Sequence, residues 1–221
     1  MGYETTNHNI IDTKASKKRR TKMMNFWHKR FQDESYVYGT DPNAFLADSQ
    51  KKLQLSGDVL AIAEGEGRNA VFLAEQGMNV TSWDYAESGL RKTQRLAETR
   101  HVSVKTELVD LNEASWNQDQ WDEIVCIFGH FPEELRRKTL LGVKEAVKPG
   151  GFFVTEVYST HQIPYKSGGP QDAELLYTPE EFSQTFSDWR IVHFFMGEVV
   201  RHEGDSHNGL SHVIQFIGQK R

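Results

Sequence analysis

The chain has 221 residues, of which 38% are hydrophobic and 11% aromatic, enough for one large domain with a sizeable core. No apolar run reaches about 18 residues and the N-terminus lacks the apolar core of a signal peptide, so we expect no membrane span, no secretion and a cytoplasmic protein. The formal charge is −5, but six basic and two acidic residues at positions 1–22 leave −9 on the remainder. An acidic body argues against a nucleic-acid surface, which needs clustered Lys and Arg.

The chain begins with a basic segment, residues 1–22, which we predict to be a solvated, disordered leader ahead of one domain at 23–221, although "KASKKRRTK" could instead be a targeting signal or an RNA contact. Residues 24–55 predict two helices around "YVYGTDPN", where Gly39 and Asp41-Pro42 mark a break. Five aromatic residues are concentrated just before the predicted sheet. They are expected either to pack a leader helix on the core or to form a lid that excludes water. These residues are Phe26, Trp27, Phe31, Tyr36 and Tyr38.

Strand-like and helix-like segments then alternate, which predicts a parallel sheet with helices on both faces. The strands are "GDVLAIA" (57–63), "MNVTSWD" (78–84), "VSVKTELVD" (102–110), "DEIVCIF" (122–128) and "GFFVTEVYS" (151–159). The helices are predicted near 68–76, 86–99, 112–118 and 132–147. The single cysteine, Cys126, lies in an apolar run and is expected to be a buried thiol.

The end of the chain departs from this alternation. Two long strand-like runs after residue 188 are separated only by the turn-rich "HEGDSHNG", which predicts an antiparallel hairpin. The segment between residues 161 and 182 is long for a connection, and its Gly168-Gly169-Pro170 could hinge a second flap.

The stretch "AIAEGEGRNA" (61–70) places a glycine-rich loop between a strand and a helix. Gly65-x-Gly67-x-x-Ala70, with Asp84 19 residues after Gly65, is close to the dinucleotide fingerprint, so a nicotinamide-dependent oxidoreductase is one interpretation. Carboxylates at Glu64 and Glu66 would oppose a pyrophosphate at the helix N-terminus. S-adenosylmethionine carries a sulfonium and an ammonium group, and the acidic loop suits that ligand better.

Two further acids follow neighbouring strands. Asp84 is placed to accept both ribose hydroxyls and Asp110 to accept from an adenine amino group. Each could instead cap a helix, and the two glycines could simply make a tight turn. Their convergence at the carboxyl ends of adjacent strands favours a ligand site.

The motifs "VLAIAEGEGRNAVFLAEQGMNVTSWD", "VDL" and "KPGGFFVTEVYS" resemble those of class I S-adenosylmethionine-dependent methyltransferases. "YVYGTDPNAFL" together with "AEGEGRNAVFLA" is similar to the tellurite-resistance or thiol-type small-molecule branch, over roughly residues 24–219. The resemblance implies a Rossmann-like three-layer sandwich whose seven-stranded, mostly parallel sheet has the order 3-2-1-4-5-7-6 and an antiparallel last strand. Many members carry an acid at position 61 and a glycine at position 63, where this chain has Ala61 and Ala63. Recognition of the methionine end is therefore assigned to Glu64 and the loop N–H groups.

The predicted cofactor is S-adenosylmethionine and the predicted partner is a small-molecule acceptor, with no metal and an open oligomeric state. The resemblance favours a soft nucleophile, either a thiol or an oxyanion of tellurium or selenium. A sensor that binds the cofactor without turnover stays an alternative. The predicted cofactor-binding residues are Tyr38, Glu64, Gly65, Glu66, Gly67, Asn69, Asp84, Tyr85, Asp110, Leu111 and Phe128.

Methyl transfer needs alignment, exclusion of water and sometimes a base, but no covalent nucleophile. The candidate catalytic residues are His130, Glu156, Arg68 and His207. Three of them have a structural alternative: His130 could cap a helix, Arg68 could pair with a nearby acid, and His207, like Arg201, could be exposed at the hairpin turn. Glu156 lies inside a strand next to apolar residues, which favours a functional role over that of an exposed Glu. A compact anion would need one of the cations Arg68, His130, Arg201 and His207, whereas an apolar thiol could use Trp27, Tyr36 and Tyr38.

Overall fold

A computed structural model describes residues 26–204 and 207–221, and the predicted leader at 1–22 lies outside the described residues. The helices are α1 (described over 26–30), α2 (Ala44–Leu53), α3 (Arg68–Glu75), α4 (Glu87–Thr99), α5 (Glu133–Ala146) and α6 (Pro179–Thr185), with 3₁₀ turns at Thr160–Tyr165 and Ala173–Leu175. The strands are β1 (Asp58–Ile62), β2 (Asn79–Asp84), β3 (Val104–Leu108), β4 (Trp121–Ile127), β5 (Val147–Tyr158), β6 (Arg190–Glu203) and β7 (His207–Gln219).

All seven strands form one sheet in the order β3-β2-β1-β4-β5-β7-β6. The first five strands pair in parallel, and β7 is antiparallel to both β5 and β6. The predicted fold class, strand order and terminal hairpin are therefore confirmed. Parallel neighbours bring the carboxyl ends of β1, β2 and β4 to one edge, where ligands of such sheets bind.

Helices cover both faces of the sheet, so the central strands are apolar along their whole length. Val59, Leu60, Ala61 and Ile62 of β1 are all fully buried. One face packs against α5 and α6, and the other packs against α2 and α3. Parallel strands covered on both faces need such continuous apolar runs, which is the pattern that the sequence shows. Within the described residues, no helix has the length and apolar character needed to cross a bilayer.

The helix predicted at 112–118 is wrong, because this segment forms turns. Asp110 Oδ1 accepts hydrogen bonds from the backbone N–H and the side-chain amide of Asn112 at 2.9 and 2.8 Å, a local turn that competes with a helix. Trp116 packs against Trp83, with ring centroids 5.5 Å apart, and directly over Gly142 of α5. Tertiary packing of one tryptophan therefore determines the path of this connection.

Candidate active site

A cavity of about 700 Å³ lies at the carboxyl ends of β1, β2 and β4, and we refer to it as the central cavity. Its floor comes from the glycine loop and the strand ends, including Glu64, Gly65, Asp84, Tyr85, Phe128 and His130. Its cover comes from the segment before the sheet and from the connection after β5. The cover includes Trp27, Arg30, Tyr38, Lys166, Gly168 and Gly169. The volume suits a cofactor-sized ligand.

Glu64 occupies the N-terminus of helix α3. Its Oε1 accepts hydrogen bonds from the backbone N–H groups of Asn69 and Ala70 at 2.8 and 2.9 Å. These N–H groups are the donors that would hold a phosphate in a dinucleotide-binding loop. Burial raises the pKa of Glu64 to about 7. The helix N-terminus is thus capped by the chain's own carboxylate, at the edge of the cavity.

Asp84 ends β2 and faces the cavity while bracing the glycine loop. Its Oδ2 accepts from the Gly65 N–H at 2.8 Å and its Oδ1 from the Ala86 N–H at 2.7 Å. Burial raises the pKa of Asp84 to about 6, which these backbone donors only partly offset. Among the described residues, no lysine, arginine or histidine forms an ion pair with Asp84. A cationic or hydroxyl-bearing ligand would therefore favour its ionised form.

Both loop glycines have left-handed backbone, with φ of +67° at Gly65 and +89° at Gly67. Gly65 lines the central cavity and Gly67 begins α3 without reaching the cavity wall. Ala63 also has a positive φ of +51°, a conformation that glycine adopts more easily. Ala63 therefore adopts the left-handed conformation that a glycine at this position would adopt with less strain.

Gly67→Ala is expected to destabilise the protein by about 1–3 kcal/mol more than Gly77→Ala. Both glycines have similar φ, +89° and +84°, so both variants carry similar backbone strain. A Cβ at Gly67 would lie 2.5 Å from the Thr93 side chain, whereas nothing lies within 4 Å at Gly77. Urea unfolding of both variants measures the difference. Equal losses would mean that the contact with Thr93 does not require glycine at position 67.

Glu66, predicted to bind the cofactor, is not part of the cavity wall. Its Oε1 pairs with Lys92 Nζ of α4 at 2.6 Å, and its Oε2 accepts from the Val37 N–H at 2.8 Å. Lys92 also donates to the Ser35 carbonyl at 2.6 Å. Glu66 therefore ties the segment before the sheet to α4, and its charge is cancelled by a buried lysine.

The other predicted cofactor-binding residues fall into two groups. Tyr38, Asn69, Tyr85 and Phe128 line the central cavity, together with Glu64, Gly65 and Asp84. Leu111 is buried in the core, and Asp110 lies at a separate cavity of about 480 Å³ beside β3. Burial raises the pKa of Tyr85, and the nearby carboxylates of Asp84 and Asp110 raise it further, so this side chain lies near both. The ligand roles of these residues stay predictions.

His130 lines the cavity as a neutral imidazole. Its Nδ1 lies 3.0 Å from the Leu175 carbonyl and its Nε2 accepts from the Tyr158 N–H at 3.4 Å, which assigns the proton to Nδ1. Burial lowers the pKa of His130 to about 4. The ring also lies in a stack with Phe128 and Tyr158. A neutral ring with both nitrogens hydrogen bonded supplies neither a cation nor a ready base.

Glu156, predicted as a catalytic residue, is buried outside the cavity wall. Its Oε1 accepts from Arg201 Nη1 at 2.8 Å and from Asn43 Nδ2 at 2.6 Å, and its Oε2 accepts from Gln215 at 2.5 Å. Arg201 stacks its guanidinium 4.6 Å above the centre of the Phe128 ring. Glu156 therefore lies in a buried ion pair behind Phe128, and its catalytic role stays a prediction.

Arg68 lines the cavity but is already paired. Its Nη2 lies 2.7 Å from Glu203 Oε2, and its Nη1 approaches the carbonyls of Tyr38 and Asp41 at 3.5 and 3.4 Å. The side chain of His207, the fourth predicted catalytic residue, lies outside the described residues, whereas its backbone pairs with Glu203.

The two predicted cover segments both reach the cavity, through Trp27 and Tyr38 on one side and Gly168 and Gly169 on the other. Tyr36 does not, because it packs against Val71 and Lys92. Sequence reasoning missed Arg30, Phe131, Lys166 and Asn208 as wall residues. The periodicity of α1 could have indicated Arg30, one helical turn after Phe26 and Trp27. No local sequence pattern indicates that Lys166 of the flap or Asn208 of the hairpin lines the cavity.

A sheet of this order, with a cofactor-sized cavity at the carboxyl ends of its first strands, defines a protein of the class I methyltransferase fold. The family described as "Tellurite resistance protein TehB" matches residues 22–217, so the chain belongs to the TehB family. The family predicted from the sequence is thereby confirmed.

The chain is similar in sequence to two curated methyltransferases over part of its length. A probable S-adenosyl-L-methionine-dependent methyltransferase TehB from Haemophilus influenzae is 27% identical over 146 residues, 64% of this chain and 49% of the relative. A 2-heptyl-1-hydroxyquinolin-4(1H)-one methyltransferase from Mycobacteroides abscessus is 25% identical over 120 residues, 53% of each chain. The chain thus spans about half the length of these relatives. The crystal structure of TehB from Haemophilus influenzae aligns with a TM-score of 0.66 at 20% identity, over 90% of this chain and 67% of that one.

Proposed function

We propose that the protein transfers a methyl group from S-adenosylmethionine to a small uncharged acceptor, of which a thiol fits best. The observation that carries the choice of cofactor is the Glu64 carboxylate on the N-terminus of α3. A dinucleotide would place its pyrophosphate on these N–H groups, and Glu64 both fills them and repels the anion. Membership of the TehB family supports the same choice.

The residues around the central cavity fit S-adenosylmethionine. Asp84 offers a carboxylate with no cationic partner among the described residues, suited to ribose hydroxyls. Glu64 places a second carboxylate where a ligand with ammonium and sulfonium groups is favoured. Tyr38 and Phe128 add aromatic walls, and aromatic faces attract cations. When bound, this cofactor supplies an electrophilic methyl group on sulfur.

The protein's own contribution is to orient the acceptor and to exclude water. Trp27 and Phe31 of the segment before the sheet, with centroids 5.4 Å apart, cover the cavity with apolar surface. The flap with Gly168 and Gly169 covers it from the other side. In-line displacement depends on alignment more than on covalent chemistry, and an apolar cover over the cavity serves that need.

The charges around the cavity favour an uncharged acceptor over an oxyanion. Of the four predicted cations that could hold an anion, Arg68 is paired with Glu203, and Arg201 is paired with Glu156 away from the wall. His130 is neutral because burial lowers its pKa to about 4. The fourth, His207, has a side chain outside the described residues. Two further cations in the described part of the chain line the cavity: Arg30, whose guanidinium lies 5.7 Å from the centre of the Tyr38 ring, and Lys166, which is exposed, where water and salt screen its charge. A thiol also needs no strong base near neutral pH, whereas a phenol or an amine benefits from one.

Calorimetry and turnover together test the proposal. S-adenosylhomocysteine is expected to bind and NADH is not, and tight NADH binding would contradict the choice of cofactor. Labelled S-adenosylmethionine is then offered with aromatic and aliphatic thiols, phenols, amines, selenite and tellurite. Methylation of a thiol at higher kcat/KM than either oxyanion supports the acceptor class. Cofactor binding without turnover of any acceptor would favour the sensor instead.

A further inference from the structure

Arg68 is a cavity-lining cation whose charge is cancelled by a residue distant in sequence. It begins α3 beside the glycine loop, and Glu203 ends β6 next to the turn of the terminal hairpin. Arg68 Nη2 lies 2.7 Å from Glu203 Oε2, and the two side chains are 7% and 9% exposed. Water and salt screen such a pair weakly, so its charges are felt at the cavity wall as one neutral unit.

We propose that Glu203 determines acceptor specificity by neutralising Arg68, so that the central cavity accepts uncharged acceptors and rejects oxyanions. The proposal deepens the proposed function and rests on it for the site concerned. A guanidinium without a carboxylate partner is a strong binder of planar and tetrahedral oxyanions. Glu203 therefore removes a binding group that the cavity would otherwise offer.

Among the described residues, Glu203 is the carboxylate that forms an ion pair with Arg68. Arg30, which also lines the cavity, lies instead over the Tyr38 ring, 5.7 Å from its centre. Glu64 also lies near Arg68, but its Oε1 is held by the N–H groups of α3. Arg201 contacts Glu203 at 3.3 Å and has a shorter contact of 2.8 Å with Glu156, so it stays paired when Glu203 loses its charge. Lys166 lines the cavity from the flap but is exposed, where its charge is screened.

Glu203 also accepts hydrogen bonds that hold the start of α2, so the variant that tests its charge must keep an acceptor at this position. Its Oε1 accepts from Asn43 Nδ2 at 3.1 Å and from the Ala44 N–H at 3.3 Å, both at the start of α2. Glu203→Gln keeps a carbonyl oxygen for these donors and removes the negative charge. Glu198→Gln is the matched control, since Glu198 lies on the same strand and bonds to the Tyr165 hydroxyl.

Selenite is the probe, titrated by calorimetry into the full chain without cofactor. Glu203→Gln is expected to bind selenite at least about tenfold more tightly than the wild type, because Arg68 becomes an unpaired cation. The double variant Glu203→Gln with Arg68→Met should lose this gain, and Glu198→Gln should match the wild type. In turnover, Glu203→Gln should lower the KM for selenite while the KM for the thiol does not fall.

A folded Glu203→Gln variant with unchanged selenite affinity would overturn the proposal, as would a gain that survives removal of Arg68. If Glu203→Gln alone does not fold, the double variant Arg68→Met with Glu203→Gln, which removes both charges of the pair, is compared with the wild type. A neutral pair predicts equal selenite affinity with and without its two charges, and a tenfold loss would show that Arg68 already binds the anion. Binding of S-adenosylhomocysteine to the wild type tests the proposed function separately, because the selenite titrations need no cofactor.

Discussion

Asp84→Asn is expected to weaken binding of S-adenosylhomocysteine by about tenfold or more, while the variant stays folded. The carboxylate lines the central cavity and would lose the charge that strengthens its bonds to ribose hydroxyls. Asn keeps an oxygen for one of the two backbone donors, Gly65 and Ala86, that Asp84 now accepts from. Calorimetry measures the affinity and circular dichroism the fold. Unchanged affinity in the folded variant would remove Asp84 from the cofactor site.

The position of Asp84 at the end of a strand suggests that Asp84→Ala would leave the fold intact, but its burial and hydrogen bonds argue against this. Asp84 is 8% exposed and braces the glycine loop through Gly65. Truncation to Ala would leave buried N–H groups without a partner, which costs about 1–3 kcal/mol for each group. Loss of cofactor binding in Asp84→Ala would therefore mix instability with lost recognition, and Asn separates the two.

The same site gives the binding a pH dependence. Burial raises the pKa of Asp84 to about 6 and that of Glu64 to about 7, so both are protonated in acid and ionised above neutrality. The ionised forms bind hydroxyl and ammonium groups better, so affinity should rise with pH through this window, and Asp84→Asn should flatten its lower part. The folded state holds these protons more tightly than the unfolded chain. Their contribution to the stability of the ligand-free protein is therefore fully present below about pH 4, where the unfolded carboxyls are still protonated, and is lost as the pH rises to about 7.

Much of the fold could be predicted because the signal is local and repeated. The apolar runs of β1 and β4 follow from burial on both faces, and "HEGDSHNG" between two long strands requires a hairpin. The segment 112–118 could not be predicted, because its path depends on Trp116 filling space over Gly142, a contact between residues far apart in the chain. Helical periodicity carries no information about such packing between distant residues.

The candidate site also has residues that the sequence predicts and residues whose position depends on distant contacts. Glu64, Gly65 and Asp84 lie at strand ends and loop positions that chain order alone brings together, and all three line the cavity. Glu66 has the same residue type as Glu64 and lies two positions away, but its partner Lys92 is 26 positions further on. Pairs between distant positions decide whether a charge faces a ligand or another side chain, and no local pattern records them.

Glu156, like Glu66, is paired with a residue distant in the chain, and its substitution has the largest expected effect on stability. Glu156→Ala is expected to lower the free energy of unfolding by about 3–5 kcal/mol, because Arg201 would stay buried without its closest carboxylate. The side chains of Arg201 and Glu156 are 4% and 2% exposed, and the carboxylate also accepts from Asn43 and Gln215. For a domain of this size, the melting temperature should fall by about 10 °C. Differential scanning calorimetry measures it.

Glu198→Gln is the control on an exposed glutamate of the same sheet, and it should change the free energy of unfolding by no more than about 0.5 kcal/mol. Glu156→Gln then separates a stabilising from a catalytic role. It keeps the hydrogen-bonding shape and removes the charge, so some stability is lost, while S-adenosylhomocysteine affinity should stay close to that of the wild type because Glu156 lies outside the cavity wall. A stable Glu156→Gln variant with normal cofactor affinity and abolished kcat would show that Glu156 takes part in catalysis. A loss of stability without a selective loss of kcat places its role in the ion pair behind Phe128, where it fixes the hairpin against the start of α2.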